Sequence, residues 1–458
     1  MLFLAIIFIL ALGLRLILTY TLPVKYWDET IYLNLGRNLV TYHEYSFQHG
    51  FADFYPNWPL AGGRPPLLPV LAAFNFLFTD SLFFLNLAVP LIGCIGIIFL
   101  FLFTKKLFNT ETAIYSSIIF AFFPMAVFFG SKFLTDTVLL TLFMASIYFL
   151  IKAYESSAKS KIYLFSILFG FFLGLTFLTR YTALWLYPVV GFWLIIKRKG
   201  LRFVFEKQFI TGLITFLIII APWFIANFFS YGNLFGFLND SAVASVRWGE
   251  ESFFFYFLTL LSEFWFILPL IIIGLIASLS KKSENKNKWL ILFWFIFIFF
   301  AASMTAGKES RYLLPILPAA SIISSWGIIY LKGINKTYFK VALGVIVTGL
   351  AIYYILFGLS SFTTYRAEDQ KCFFNSMDFI KNSGASEVVT EHFTAAYFYT
   401  QVPNIRVNNY TIIKEIIANK PSNVLYYYKN GDWFNLKNEK PDLELAYSCG
   451  DYFVYKLK

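Results

Sequence analysis

A polytopic α-helical membrane protein with a small C-terminal α/β domain is the fold class this sequence predicts. Three observations point to it. The 458 residues are 59% hydrophobic and only 14% charged, where a soluble domain carries roughly 25% charge. Apolar runs of spanning length recur up to about residue 359, and mean hydropathy is +0.66. Past residue 360 the runs shorten to strand length and charge rises. The 21% aromatic content suits the same setting, since Trp and Tyr favour the membrane interface.

Crossing about 30 Å of hydrocarbon takes roughly 17–25 apolar residues. Runs of this kind fall near 2–22, 82–103, 112–130, 133–151, 162–179, 182–196, 208–229, 254–279, 289–304, 312–331 and 339–359, about eleven spans. Residues 65–79 are apolar but short and open on Pro65-Pro66, which reads as a re-entrant or interfacial helix. The first run lacks a basic start and a small-residue cleavage site, so it is not read as a cleaved signal peptide.

Orientation follows from Lys and Arg in alternate loops. One set holds Lys105 and Lys106, then Lys152, Lys159 and Lys161, then Lys197–Lys207 with Arg198 and Arg202, then Lys281–Lys288, then Lys332, Lys336 and Lys340. The positive-inside rule makes that set cytoplasmic. Loop 23–81 and everything beyond 360 then face outward, and the chain reads as an integral protein of the cell membrane with its site and tail on the extracytoplasmic side. The net charge of +11 is thus explained by membrane topology, and nucleic acid is not an expected partner. Three His and three Cys argue against a zinc site or a disulfide framework.

The expected domains are 1–360, membrane-embedded, and 361–458, soluble. In the tail Glu387–Thr390, Asn404–Val407, Asn423–Tyr428 and Asp451–Tyr455 have strand character, and 368–382, 393–400 and 410–419 have helical spacing. Cys372 and Cys449 both lie there; a disulfide between them is left open. Outward sequons at Asn239-Asp240-Ser241 and Asn409-Tyr410-Thr411 match a pattern that chance produces often.

Polar residues at the outward ends supply the chemistry. Trp27-Asp28-Glu29 stands directly behind the first span, where carboxylates are costly and contribute little to orientation. The bland alternative is a helix N-terminus, with Asp28 as N-cap and Glu29 in the first turn before Ile31, Leu35 and Leu39. Arg64 lies in Gly62-Gly63-Arg64-Pro65-Pro66-Leu67, where snorkelling to headgroups is the alternative. Asp136 opens a span, where helix-dipole compensation is the alternative. Arg180 sits at an outer helix junction, and Lys308, Glu309 and Arg311 crowd a short outer loop where a local ion pair would suffice. Glu263 lies within a span and needs a polar partner or protonation there. Arg15 has no evident partner, His43 and His49 have no firm third ligand, and Arg247, Glu250 and Glu251 read as solvated loop. Co-location favours function. Acids Asp28, Glu29 and Asp136 and cations Arg64, Arg180, Lys308 and Arg311 come from distant spans yet map to one membrane face. That inventory suits proton acceptance and phosphate binding.

Trp27-Asp28-Glu29, Arg64-Pro65-Pro66-Leu67, Phe133-Leu134-Thr135-Asp136, Leu178-Thr179-Arg180-Tyr181, Ala221-Pro222-Trp223 with Tyr231-Gly232-Asn233, and Arg311-Tyr312-Leu313-Leu314-Pro315 form an ordered series over roughly 1–335. The series resembles the GT-C glycosyltransferases, in particular their dolichyl-phosphate-mannose-protein mannosyltransferase and aminoarabinose-transferase-like group. The resemblance implies a polyprenyl-phosphate sugar donor, dolichyl or undecaprenyl, and a catalytic carboxylate at Asp28. The expected reaction is an inverting transfer at the outer face, with a lipid, glycan or protein acceptor left open, although the tail does not resemble the lectin-like insert of eukaryotic protein mannosyltransferases. Arg64 stands where the aminoarabinose branch typically has Lys, which keeps the charge but changes the reach. Glu29 or Asp136 would orient the nucleophile or sugar. Arg64, Lys308 and Arg311, with Arg180, would stabilise the leaving phosphate, and Trp27 and Tyr312 would position substrate. No cofactor is required, although Asp28, Glu29 and Asp136 are the oxygen ligands that Mg²⁺ or Mn²⁺ would take. The rival expectation, a transporter or flippase of a lipid-linked sugar, calls for charges near the midplane and an internal repeat. Most charges here cluster at span ends instead.

Overall fold

The computed structural model describes residues 2–457 apart from 23, 25–26, 52–59, 239–240, 242–251, 280–284, 306, 365–366, 407–422 and 430–442. Among the described residues seven helices are long and apolar enough to cross a membrane. They are Leu2–Thr21, Leu82–Leu107, Thr135–Glu155, Lys159–Thr179, Lys207–Tyr231, Ser310–Ile334 and Lys336–Leu356. An eighth is reached if Phe255–Glu263 and Leu268–Leu279, bent by 105° at their junction, count as one span. The eleven expected spans are therefore not all continuous helices.

Local breaks account for the difference. The run at 112–130 is split at Phe123, whose extended backbone precedes Pro124, giving Thr110–Phe122 and Pro124–Phe129. Pro lacks the N–H that would continue the first helix and fits the first turn of the second. The run at 182–196 opens as a 3-10 turn, Tyr181–Trp185, before the 12-residue helix Tyr187–Arg198. Residues 289–304 fall in the 16-residue helix Lys288–Ser303. The proline-led segment at 65–79 is the 10-residue helix Leu67–Phe76, about 15 Å long at 1.5 Å per residue and too short to cross.

Two compact units emerge, and both draw on separate stretches of chain. The first comprises Met1–Thr21, Gly62–Leu68 and Asn86–Ile355; the second comprises Leu22–Ala61, Pro69–Leu85 and Leu356–Lys458. This division differs from a single boundary at residue 360, because most of loop 23–81 groups with the tail.

In the first unit, 83% of the apolar stretch of Ser310–Ile334 is buried, against 17% for Lys207–Tyr231. The former is thus central and the latter peripheral, with Ile214, Leu217, Ile218 and Ile225 exposed for lipid contact. Close packing depends on missing side chains. A Cβ on Gly274 would lie 1.9 Å from the Ile323 carbonyl oxygen, and one on Gly170 would lie 2.0 Å from that of Gly212. Small residues at such crossings let helix backbones touch where lipid supplies no hydrophobic drive.

The second unit contains a five-stranded mixed sheet of order β2-β1-β3-β5-β4. Its strands are β1 Glu387–Thr390, β2 Asn404–Arg406, β3 Val424–Lys429, β4 Leu443–Cys449 and β5 Tyr452–Leu457. β1 pairs in parallel with β2 and β3, while β5 pairs antiparallel with β3 and β4. Alternation along β3 sends Leu425 and Tyr427 to the face covered by Ala367–Asn382 and Phe393–Thr400, and Val424, Tyr426 and Tyr428 to the other. Four strands and two helices thus lie where the sequence expects them, and β4 is an addition. The expected helix at 410–419, Val407 and the sequon residues Asn239, Asp240 and 409–411 lie outside the described residues. Cys372 and Cys449 form a disulfide that ties the first of these helices to β4.

Candidate active site

The first unit builds a charged cluster from several chain segments. Asp136 stands in the first turn of Thr135–Glu155 and is 2% exposed. Leu134 before it is extended and offers no side-chain cap, so the carboxylate complements the helix N-terminus. It also meets two guanidinium groups. Arg180, extended where Lys159–Thr179 ends, donates through Nη1 to Asp136 Oδ1. Arg311, 4% exposed in the 3-10 turn Ser310–Ile316, holds Nη1 3.8 Å from Asp136 Oδ2. That oxygen is buried and has no hydrogen-bond partner among the described residues.

Arg311 is gripped from its other side by Glu309, with Nε 2.7 Å from Oε2 and Nη2 donating to Oε1 at 2.9 Å. The Tyr312 hydroxyl donates to the same Oε1 at 3.2 Å. The Tyr312 ring lies 4.4 Å from the Arg180 guanidinium carbon and 5.5 Å from that of Arg311, so its π face holds both cations. Lys308 Nζ donates to the Thr305 carbonyl at 2.6 Å. The Arg64 turn joins through backbone: Tyr181, next to Arg180, donates to the Gly62 carbonyl at 2.7 Å and accepts from Trp223 Nε1 at 3.0 Å. Two guanidinium groups (Arg180, Arg311) thus meet two carboxylates (Asp136, Glu309), and Arg64 and Lys308 belong to the same unit.

A buried arginine braces the turn that carries Asp136. Arg15 Nη1 donates to the carbonyls of Ala11 and Ala121 at 3.0 Å, and Nη2 to that of Ala126 at 3.4 Å. The break at Phe123–Pro124 interrupts the helical partnering of the Ala121 carbonyl, while the Ala126 carbonyl also accepts from the Gly130 N–H at 3.0 Å. Thr19 adds a bond to the Ser131 carbonyl at 3.0 Å. Glu263 likewise finds its expected polar partner, accepting from the Tyr353 hydroxyl at 2.6 Å.

The second unit holds Asp28 and Glu29, both in the first turn of Trp27–Thr41. The helix starts one residue before Asp28, so Asp28 is a first-turn residue rather than the N-cap, within the usual spread of helix boundaries. The Trp27 side chain lies outside the described residues, as do Arg247, Glu250 and Glu251. The two carboxylates differ in surroundings: Asp28 is half-buried, whereas Glu29 is 1% exposed. The helix packs on Phe393–Thr400. Thr30 Oγ1 bonds Thr394 Oγ1 at 2.9 Å, Asn34 donates to the Thr394 carbonyl at 2.9 Å, and Arg37 donates to the Phe398 carbonyl at 2.8 Å. Arg37 also lies 5.0 Å and 4.6 Å from the ring centres of Phe76 and Phe398. Burial, with the Glu29 carboxylate as the second cause, raises the Tyr399 phenol above its ordinary pKa, and Arg37 opposes the shift. Glu29 therefore belongs to the interior that joins this helix to the tail. Ile31 and Leu35 line that interior with Phe47, Ala61 and Tyr397.

Among the described residues no three His, Cys, Asp or Glu side chains are grouped to hold a metal ion. His49 lies 2.9 Å from Glu44 and stacks on Tyr42. Glu309 forms the local ion pair expected of its loop, whereas Tyr181 and Trp223 are the contributors that charge reasoning leaves without a role. Their signal was position beside Arg180 and Pro222.

The chain is similar to known proteins in sequence and in fold. The family model described as dolichyl-phosphate-mannose-protein mannosyltransferase matches residues 63–225. The chain is 23% identical over 352 residues to an undecaprenyl phosphate-alpha-4-amino-4-deoxy-L-arabinose arabinosyl transferase of Proteus mirabilis, covering 69% of this chain. It is 24% identical over 332 residues to one of Pseudomonas fluorescens, covering 67% of this chain. It spans 59% and 57% of the length of these two curated relatives. The crystal structure of ArnT from Cupriavidus metallidurans bound to undecaprenyl phosphate matches with a TM-score of 0.70 at 14% identity, over 99% of this chain and 97% of that one. The archaeal oligosaccharyltransferase AglB from Archaeoglobus fulgidus, in complex with an inhibitory peptide and a dolichol-phosphate, matches at 0.55 and 15% identity, over 88% and 64%. The GT-C resemblance carried by the motifs is thereby borne out, and the chain shares the ArnT fold over nearly its whole length.

Proposed function

We propose, on the premise of that shared architecture, that this protein is a glycosyltransferase using a polyprenyl-phosphate-linked sugar as donor. The observation that carries the reading is the Asp136–Arg180–Arg311 cluster, which sets two guanidinium groups on one buried carboxylate. The relatives named as arabinosyl transferases and the undecaprenyl-phosphate complex of a similar fold support it.

The reaction we propose is a single inverting displacement at the extracytoplasmic face. An acceptor hydroxyl attacks the anomeric carbon while Asp28 takes its proton. The bond from that carbon to the phosphate oxygen breaks, and polyprenyl phosphate leaves. Half-buried Asp28 suits proton exchange with substrate better than Glu29, whose carboxylate is enclosed with Tyr399. Arg180 and Arg311, with Arg64 and Lys308, neutralise the departing phosphate; guanidinium forks bind such oxygens in pairs. Asp136 orients those forks. Tyr312 stacks beneath them and serves as positioning residue.

A Mg²⁺ or Mn²⁺ site at Asp28, Glu29 and Asp136 fits less well. Asp136 already faces two guanidinium groups, which leave it little charge to offer a cation. No step is assigned to a metal, and activity that survives thorough chelation removes that version.

The test uses purified protein and a labelled polyprenyl-phosphate sugar with candidate lipid, glycan and protein acceptors. Release of free polyprenyl phosphate with label on an acceptor is the expected result. Movement of the intact donor across vesicles without covalent change would instead make the protein a flippase.

A further inference from the structure

The Lys-rich end of the first unit holds a cavity that the proposed transfer reaction does not use. It has a volume of about 260 Å³ and is walled by Trp193, Lys197, Lys199, Asn285, Lys286 and Leu290, among others. Among the described residues three lysines and no acid line it. The neighbouring Arg198, by contrast, is neutralised by Glu206 at 2.8 Å. Trp193 is 4% exposed, and its indole Nε1 is buried with no hydrogen-bond acceptor among the described residues. A buried N–H left unmatched costs free energy that an acceptor restores.

The wall is preorganised. Asn285 and Asn287 both donate to the Leu107 carbonyl, at 2.8 and 3.1 Å, which pins their turn onto the end of helix Ala88–Leu107. Lys199 holds a left-handed conformation, φ 54° and ψ 45°, at the end of Tyr187–Arg198. Glycine takes that conformation at less cost than lysine, so the lysine is kept there against backbone preference.

We propose that this cavity binds a phosphate-bearing anion through the Lys197, Lys199 and Lys286 ammonium groups and the Trp193 indole N–H. Ile196 and Leu290 add apolar wall beside the donors, which fits the headgroup of an anionic phospholipid with its glycerol and chains against the helices. Basic pockets between membrane helices recognise such headgroups. The site is separate from the Asp136 cluster and does not depend on the transferase reading.

The experiment measures thermal stabilisation of the full-length protein in detergent. Its probes are dioctanoyl phosphatidylglycerol, inorganic phosphate and dioctanoylglycerol. Saturable stabilisation by the phosphatidylglycerol and none by the phosphate-free lipid is the expected result. Saturation by inorganic phosphate alone would name free phosphate as the source and keep the chemistry. The triple variant K197Q/K199G/K286Q should bind roughly tenfold more weakly, since several charge-assisted bonds are lost. Trp193→Phe should weaken binding several-fold. The lysines are exposed and Gly suits position 199, so misfolding would not mimic the effect. No saturable response to either phosphate-bearing probe, equal response to dioctanoylglycerol, or wild-type affinity in the variants would overturn the proposal.

Discussion

Asp136 in the first unit and Asp28 in the second are both first-turn acids, yet their surroundings set them to different work. Asp136 is enclosed with Arg180 on one oxygen and Arg311 across 3.8 Å from the other. Its charge is already answered, and removing either partner would leave the buried ion with one cation in place of two. Asp28 is half-buried, while its neighbour Glu29 takes the interior position against Tyr399. A carboxylate that must gain and lose a proton needs the second kind of setting; one that must hold cations in place needs the first. The comparison teaches that sequence adjacency assigns chemistry poorly: Asp28 and Glu29 are neighbours with opposite environments.

The largest expected effect follows from Asp28. Asp28→Asn keeps the shape and removes the base, and transfer should fall on the order of 10²–10⁴-fold, read with labelled donor; near-normal turnover would break the comparison at its functional end. Next comes Arg311→Met, which strips a nearly buried partner from Asp136 and Glu309. Loss of about 3–5 kcal/mol of stability is expected, measured by denaturant unfolding in detergent, and Arg311→Lys should recover part of it. Removing the Cys372–Cys449 bridge with paired Ser substitutions should cost the second unit about 2–4 kcal/mol and leave the Asp136 cluster intact, read as a lowered melting temperature. Glu29→Gln is expected to be the mildest, about 1–3 kcal/mol from an altered buried polar contact, with transfer changed far less than in Asp28→Asn. If Glu29→Gln abolished transfer in a stably folded protein, the contrast between the neighbouring acids would collapse.

Much of this was legible in the sequence, for identifiable reasons. Hydropathy marks Thr135–Glu155 and Lys159–Thr179 because both are uninterrupted. It overcounts where a run is apolar but broken, as at Phe123–Pro124 and in the bend after Glu263, because composition does not register a change of direction. Charge placement brought Asp136, Arg180 and Arg311 together from distant segments. It could not assign Tyr181 and Trp223, whose parts depend on a carbonyl at Gly62. Nor could it explain Arg15, whose partners are backbone carbonyls on either side of a helix break. β4 escaped because Leu443–Cys449 is an edge strand with a polar face and a register shift between Leu445 and Tyr447.

The most direct measurement separates donor binding from the rate of transfer in Asp28→Asn and Asp136→Asn, using labelled polyprenyl-phosphate sugar and single-turnover kinetics. The account predicts that Asp28→Asn binds donor within about twofold of wild type while the rate falls by the margin a lost general base implies. Asp136→Asn should show the reverse, weakened donor binding with a smaller loss of rate. Donor affinity lost in Asp28→Asn and kept in Asp136→Asn would contradict it.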